Sequence, residues 1–475
     1  MASLIIAEAD RFKKAKRTKA GAGMEIAKPT IFALSSGHGR AGVAVIRICG
    51  PAAGGVLDAM APPRPRPRFA ALRRLRHPAT GEVLDHALLL WFPGPGSETG
   101  EDMAELHVHG GRAVVGGVFA ALAQMPSCRL AEPGEFARRA FENGKLDLTA
   151  VEGLADLIDA ETAAQRRQAL RQTEGALYQL YNGWRGGVLA AMALMEAGID
   201  FADEPDVMVD AVARACAEAA PIAAAVRAHL ADGHRGELVR DGMHVVLAGP
   251  PNVGKSSLLN ALARRDVAIV SEEPGTTRDV IEVKLELAGL PVVLSDTAGL
   301  RSAAGKVEAV GIKRAMERMR AADLVLWLVD AAAPQATPPP AELGLGADRL
   351  LVLFNKSDLV PATDHAGDGV PGEVGGLAIS ALTGFGVSAL IDRLTRIAAE
   401  RVGDQTVPAL TQARHRQQLL ACEAGLSAFL VGPKDEVELR AEDLRRAAQA
   451  LGRLVGAIDV EEVLDQVFGR FCIGK

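Results

Sequence analysis

Residues Gly249 to Ser256 read GPPNVGKS, and this stretch decides the fold. The pattern G-x-x-x-x-G-K-S forms a phosphate-binding loop when a strand precedes it and a helix follows. Both flanks qualify: the apolar run His244 to Ala248 reads as a strand, and a helix is expected to begin near Ser257. The glycines let successive backbone amides converge on phosphate oxygens, while the following helix presents its positive end. Asn252, Val253, Gly254, Lys255, Ser256 and Ser257 are therefore the first candidate contacts. Lys255 is placed to reach the β- and γ-phosphates and share in catalysis, and Ser256 to offer its hydroxyl to Mg²⁺.

Working downstream, Asp296, Thr297, Ala298 and Gly299 read DTAG directly after the apolar run Val292 to Leu294. An aspartate at that strand end can hold Mg²⁺ through water, and the Gly299 amide can sense a γ-phosphate. Asn355, Lys356 and Asp358 belong to NKSD, which follows the run Leu350 to Phe354. An aspartate there can accept from guanine N1–H and the 2-amino group, which adenine cannot match, so GTP is the expected ligand. Ser380, Ala381 and Leu382 follow at a distance suited to backbone contacts with the base. Between loop and strand lies a candidate switch, Ser271, Glu272, Glu273, Pro274, Gly275, Thr276 and Thr277, in which Thr277 completes the Mg²⁺ shell. Leu300 follows DTAG where a Ras-like protein carries a water-positioning Gln, so catalysis must recruit another group.

Strand runs alternate with helical runs around these motifs, the rhythm of a mainly parallel sheet, and place a P-loop domain at residues 241–402. Residues 144–240 and 403–475 are instead rich in Ala, Leu, Glu, Gln and Arg at helical spacing; Leu154, Leu157 and Ile158 share one apolar face. These stretches are either one helical domain split by the insertion or two unrelated ones. Residues 24–143 mix short strands with Pro- and Gly-rich punctuation and read as a small α+β domain. The fold class is thus multidomain α/β: an N-terminal α+β domain, a discontinuous helical domain and an inserted Ras-like P-loop α/β domain. Residues 1–23 are basic, lack a secretory apolar run, and read as a disordered leader or a nucleic-acid-binding arm.

The chain has 475 residues and a net charge of -6, which argues against nucleic-acid binding through one broad basic surface, although a local patch stays open. No run is long and apolar enough for a membrane span, so no membrane partner is expected. Five scattered cysteines without C-x-x-C spacing fit the reducing cytoplasm.

Five stretches taken together, GPPNVGKSS, GTTRD, DTAGL, EPGEFARRAFENGKLDL (Glu132 to Leu148) and the terminal FCIGK (Phe471 to Lys475), resemble the MnmE (TrmE) family of tRNA-modification GTPases over about residues 30–475. The resemblance implies a homodimer working with the FAD-dependent protein MnmG in a heterotetramer. Together they place an aminomethyl or carboxymethylaminomethyl group on C5 of the wobble uridine of certain tRNAs. It implies a 5-formyl or 5,10-methylene tetrahydrofolate bound by the N-terminal domain, with Arg47, Glu105, Lys145 and Lys475 at the family's folate positions. It also implies K⁺ beside the phosphates, ligated by Asn252, Ser271, Glu273 and Thr276, with Glu308 as the catalytic acid that orients water. Cys472 either serves the modification chemistry or is a structural thiol. Two departures from the family pattern bear on the folate: Glu98 replaces the Tyr of Ser-Tyr-Thr, and His38 sits in the first glycine loop. Two other functions stay open on the residues alone, an RNA-binding ribosome-assembly GTPase and a folate-dependent one-carbon transferase.

Overall fold

A computed structural model describes residues 28–474 apart from 38, 201–204, 233, 266, 270–281, 297–307, 334–338, 341–342, 361–375, 404–406, 434–435, 459–460, 470 and 472. The chain divides into two compact units, residues 1–146 with 461–475, and residues 147–460.

The first unit holds β1 (Thr30–Leu34), β2 (Ala41–Cys49), α1 (Ala53–Met60), β3 (Ala71–Arg76), β4 (Val83–Phe92), β5 (Met103–Gly110), α2 (Arg112–Ala123), β6 (Cys128–Leu130) and α3 (Glu135–Glu142). Its sheet runs β3-β4-β5-β2-β1-β6, antiparallel except where β6 joins β1. Side chains alternate across such strands. Ile46, Ile48, Leu75, Leu89 and Leu106 therefore reach one face, where α1 and α2 cover them with Leu57, Val118 and Leu122. On the other face Phe136 of α3 closes a smaller core over Ile31, Cys49 and Met103. The helical composition after Gly403 runs almost to the terminus, yet its last part belongs to this unit. In the terminal helix Glu461–Phe468, Asp465 pairs with Arg138, and beyond it Ile473 bridges to Pro133.

The second unit opens with α4 (Leu148–Ile158), α5 (Ala163–Thr173), α6 (Ala176–Asp200), α7 (Pro205–Leu230) and α8 (Arg235–Asp241). Asp147 caps α4 through the amides of Thr149 and Ala150, and Thr162 with Gln165 forms a capping box on α5. The chain then enters the sheet: β7 (Met243–Ala248), α9 (Lys255–Ala263), β8 (Glu282–Leu287), β9 (Leu290–Asp296), α10 (Glu308–Ala321), β10 (Leu324–Asp330), β11 (Leu350–Asn355), β12 (Leu377–Ala378) and α11 (Val387–Val402). It leaves into α12 (Ala413–Val431) and α13 (Val437–Val455). Leu177 and Tyr181 of α6, Ala219 of α7, Leu419 and Phe429 of α12 and Leu444 of α13 share one core. The helical domain is therefore a single body with the sheet inserted in it, and the alternative of two unrelated helical domains falls.

The inserted sheet runs β12-β11-β10-β7-β9-β8, with only β8 antiparallel to its neighbour. Successive residues of β7 explain its double cover: Val245 and Leu247 face α9 and α11, whereas Val246 and Ala248 face α10. Strand order reverses around β7, so the carboxyl ends of β7, β9, β10 and β11 meet at a switch point, the ligand-binding place of such sheets.

The apolar face shared by Leu154, Leu157 and Ile158 is not the face that α4 buries most deeply. Leu154 and Leu157 are only half-buried and Ile158 is 40% exposed, while α4 buries Leu148, Val151 and Glu152 instead. The reason is an ion pair: Arg414 of α12 neutralises Glu152 inside the unit and His415 shares a hydrogen bond with it, so a charge replaces the leucines on the inner face.

Candidate functional site

The loop after β7 is built as its motif requires. Gly249 has φ 139° and Gly254 φ 99°, and a Cβ on either would collide, with the Leu328 carbonyl and the Asn355 carboxamide respectively. Asn252 is also left-handed, at φ 60°. α9 begins at Lys255, two residues before the expected start, so its free N-terminal amides open onto the loop. Lys255 is buried and donates to the carbonyls of Gly249 and Pro250 at 3.0 and 2.8 Å, which holds the loop closed around its ammonium.

Across the switch point, the Ser256 hydroxyl donates to Asp296 Oδ2 at 3.0 Å. A hydroxyl beside a buried carboxylate at a loop mouth is the donor set that suits a hard divalent cation sharing phosphate oxygens. Asn355 is the keystone. Its side-chain amide donates to the Val253 carbonyl at 2.7 Å, and its oxygen accepts from the Ala381 amide at 3.0 Å. One buried carboxamide thus ties the phosphate loop to the loop that would hold the base. Lys356 is left-handed, with φ 62°, and turns the chain so that Asp358 stands exposed on the short 3-10 turn Ser357–Leu359. Ser380 is buried and Leu382 exposed on the neighbouring loop, and Ser257 is exposed on α9.

Sequence reasoning missed Asp330. It ends β10 and accepts from Lys356 Nζ at 2.7 Å, and this hydrogen bond holds the Asp330 carboxyl below its usual range. The signal was present: an apolar run closing on an acid, as in β9. Of the other candidates, Ser271, Glu272, Glu273, Pro274, Gly275, Thr276, Thr277, Thr297, Ala298, Gly299, Cys472, Lys475 and His38 lie outside the described residues, as does the 1–23 leader. Glu308 is the first residue of α10.

The first unit brings Arg47 and Glu105 together. They are directly opposed across β2 and β5, with Arg47 Nη2 3.2 Å from Glu105 Oε1. Arg47 Nη1 also pairs with Glu98 at 3.0 Å, and the Glu105 carboxylate lies 3.2 Å from His107 Nε2. Arg47 Nε is buried without a partner, so this guanidinium retains a donor for a ligand. Lys145 is exposed; a Cβ on Gly100 would touch its Cε, which places it by the loop that carries Glu98. At the end of β1, Ser35 donates to the Gly474 carbonyl at 2.8 Å, and Gly474 has φ 111° and lies too close to Leu34 for a side chain. Cys49 is buried and bonded to Thr99; burial pushes its thiol up to about 12, which makes it inert.

A cavity of about 210 Å³ lies elsewhere in the second unit, lined by Asp156, Glu161, Arg240, Asp241 and Lys284. Its charges are spent on each other: Arg240 holds Asp156 at 2.8 Å and Lys284 holds Glu161 at 2.7 Å. The cavity is the joint between the helical domain and the sheet, and the nucleotide residues stand apart from it. Among the described residues no cluster of three or more His, Cys, Asp or Glu side chains could hold a metal, and no helix is long and apolar enough to cross a membrane.

Strand order, phosphate loop and base-side loop define a Ras-like P-loop protein with an inserted nucleotide domain. Residues 148–472 match the family described as MnmE helical domain, and residues 30–145 match that described as GTP-binding protein TrmE N-terminus. The tRNA modification GTPase MnmE of Methylorubrum populi is 52% identical over 454 residues, 95% of this chain and 99% of that protein. The human mitochondrial 5-taurinomethyluridine-[tRNA] synthase subunit GTPB3 is 48% identical over 476 residues, 97% of this chain and 96% of that protein. The chain belongs to the MnmE family of tRNA modification GTPases.

Proposed function

We propose that the chain hydrolyses GTP with Mg²⁺ and K⁺ to drive C5 modification of the wobble uridine in certain tRNAs. In this reading it works in the cytoplasm as a homodimer with an MnmG-like FAD protein, in a heterotetramer, and uses a tetrahydrofolate one-carbon unit. GTP hydrolysis coupled to tRNA modification is the activity of the family to which the chain belongs. The observation that carries the nucleotide half is the Asn355 bridge between Val253 and Ala381, beside the Ser256–Asp296 pair.

Each residue has a chemical task. Lys255 and the loop amides meet phosphate oxygens, where preorganised positive charge costs no reorganisation as the transferring group gains charge. Ser256, with Asp296 behind it and Thr277, suits Mg²⁺. Asn252, Ser271, Glu273 and Thr276 are assigned to K⁺, which would supply positive charge beside the phosphates, the service an arginine finger gives elsewhere. Glu308 orients the attacking water in place of the missing Gln. Asp358 reads guanine, and Ser380, Ala381 and Leu382 support the base. Arg47, Lys145 and Lys475 meet the folate's carboxylates, and Glu105 accepts from its pterin; the orphan Arg47 Nε supports that assignment. Cys472 is assigned to the modification chemistry.

Two measurements test the proposal. Hydrolysis is expected to run faster in K⁺ than in Na⁺ at equal ionic strength, and equal rates would remove the cation from the mechanism. Nucleoside mass spectrometry of tRNA from cells lacking the gene is expected to show wobble uridine bare at C5; unchanged nucleosides would refute the modification role.

A further inference from the structure

The net charge of the chain is -6, yet residues 59–81 contain no Asp or Glu. In the same stretch stand Arg64, Arg66, Arg68, Arg73, Arg74 and Arg76. The structure concentrates them on one border of the first unit, because the stretch forms the loop into β3 and β3 itself, and β3 is the outermost strand of its sheet.

Carboxylates do not neutralise this border. Among the described residues only Arg64 has one, Asp58, and its guanidinium also lies over the Trp91 ring. Arg68 is bound to the Gly96 carbonyl, Arg73 to the Pro63 and Leu72 carbonyls and Arg76 to the Gly81 carbonyl, bonds that fix direction without removing charge. Asp85, the carboxylate opposite Leu75 in the ladder, is occupied by His109, and Glu82 stands exposed where the hairpin turns. Arg66, Arg68, Arg74 and Arg76 are exposed, and so is Phe69, at 66%. Arg74 and Arg76 are two residues apart on the edge strand, about 6–7 Å at the usual rise of a strand. A row of exposed guanidiniums without carboxylate partners among the described residues, with an exposed aromatic side chain in the same stretch, suits a phosphate backbone with an unstacked base beside it.

From this geometry we infer that the β3 edge, with its arginine-rich approach, is an RNA-docking face of the N-terminal unit, and that it takes the phosphodiester backbone of the tRNA substrate. The inference rests on the tRNA-modification reading above and adds where the RNA sits. Arg74 and Arg76 hold consecutive phosphates along the edge, Arg66 and Arg68 extend the track around the corner, and Phe69 offers a stacking surface. Prolines 65 and 67 alternate with these arginines and lack amide donors, so the approach adds no further strand to the edge; it turns at Arg66–Phe69, where the Phe69 amide donates to the Arg66 carbonyl.

The test is binding of unfractionated tRNA to the full-length protein as a function of salt, for the wild type and for Arg66→Gln/Arg74→Gln/Arg76→Gln. Each lost phosphate contact lowers the slope of log affinity against log salt by about one, so the triple variant is expected to lose up to about three units of slope. Its affinity near physiological salt is expected to fall at least about 10-fold, with GTP hydrolysis unchanged. The Arg→Lys triple is expected to keep the slope, which separates charge from a folding defect. Wild-type affinity and slope in the Gln triple would overturn the inference. If that variant also aggregated, the arginines would be guards of an open strand edge. Flotation of the wild type, but not the Gln triple, with phosphatidylserine vesicles while tRNA binding stayed intact would likewise overturn it, in favour of a lipid surface. The function itself is tested separately by the wobble nucleosides: intact modification with undiminished tRNA binding in the Gln triple sinks the docking face alone.

Discussion

The nucleotide end of the inserted sheet and the heart of the helical domain both use polar side chains inside the same compact unit, to opposite ends. At the switch point, Lys255, Ser256, Asp296 and Asn355 bond to loop backbone or to one another at strand ends, where phosphates and a base can still approach. In the helical domain, Glu152 is 4% exposed, gripped by Arg414 Nε and Nη2 at 2.9 and 3.0 Å, and its Oε2 lies 2.7 Å from His415 Nε2. The Glu152 cluster is closed, and it joins α4 to α12, segments on either side of the insertion. What separates a fastening from a site is therefore access: a charge with all its partners inside the protein holds elements together, and one at a strand end serves a ligand.

Breaking the fastening has the largest expected effect. Glu152→Gln leaves Arg414 without its countercharge, and the loss of one partner of a buried pair costs about 3–5 kcal/mol. Urea unfolding is expected to show that loss, and a change under 1 kcal/mol would mean the cluster is not structural. The pH dependence has a definite sign. Burial alone would raise the Glu152 pKa, but the charge and hydrogen bond of His415, with Arg414, bring it down to about 2 from an ordinary 4.5. The stabilisation from ionised Glu152 is therefore complete above about pH 4.5 and is lost as pH falls through about 2, a dependence expected to vanish in Glu152→Gln.

Asn355→Ala strikes the other region. It strands the Val253 carbonyl and the Ala381 amide, a penalty of about 1–3 kcal/mol that should appear as roughly 10- to 100-fold weaker GDP binding by calorimetry. The unfolding of the helical domain is expected to change little, and a larger loss there than in GDP affinity would erase the contrast. A third region lies between these extremes: Arg47 is half-committed, with Glu98 and Glu105 as partners and an orphan Nε. Glu98 is 51% exposed, so Glu98→Gln should release Arg47 at a cost of at most about 1 kcal/mol, and 5-formyltetrahydrofolate should bind up to about 5-fold tighter. Weaker binding would make Glu98 itself a ligand contact. Least of all, Lys284→Gln at the exposed joint is expected to shift stability by about 0–1 kcal/mol.

This contrast also marks how far the chain could be read from its residues. β7 and β11 occupy the runs the pattern proposed, because a parallel strand covered on both faces needs a continuous apolar stretch and leaves a plain signature. The phosphate loop was legible because its spacing is set by local geometry. Glu152 was not: its partners stand 262 and 263 positions away, and a glutamate on a helix reads as solvent-exposed until those partners are known. For the same reason the apolar face of Leu154, Leu157 and Ile158 did not reveal which side of α4 is buried. Asp330 escaped notice for a different reason, since its partner Lys356 had already been read as part of the base motif.

The account stands most directly on guanine recognition by Asp358 beside the Asn355 bridge. Calorimetric titration with GDP and ADP, for the wild type and for Asp358→Asn, addresses it alone. A site built to hydrogen-bond one ring pattern rejects another by about 10⁴-fold, so the wild type is expected to bind GDP and to show no heat with ADP at the same concentrations, and the variant to lose most of that preference. Comparable affinity of the wild type for the two nucleotides, or an unchanged preference in Asp358→Asn, would contradict it.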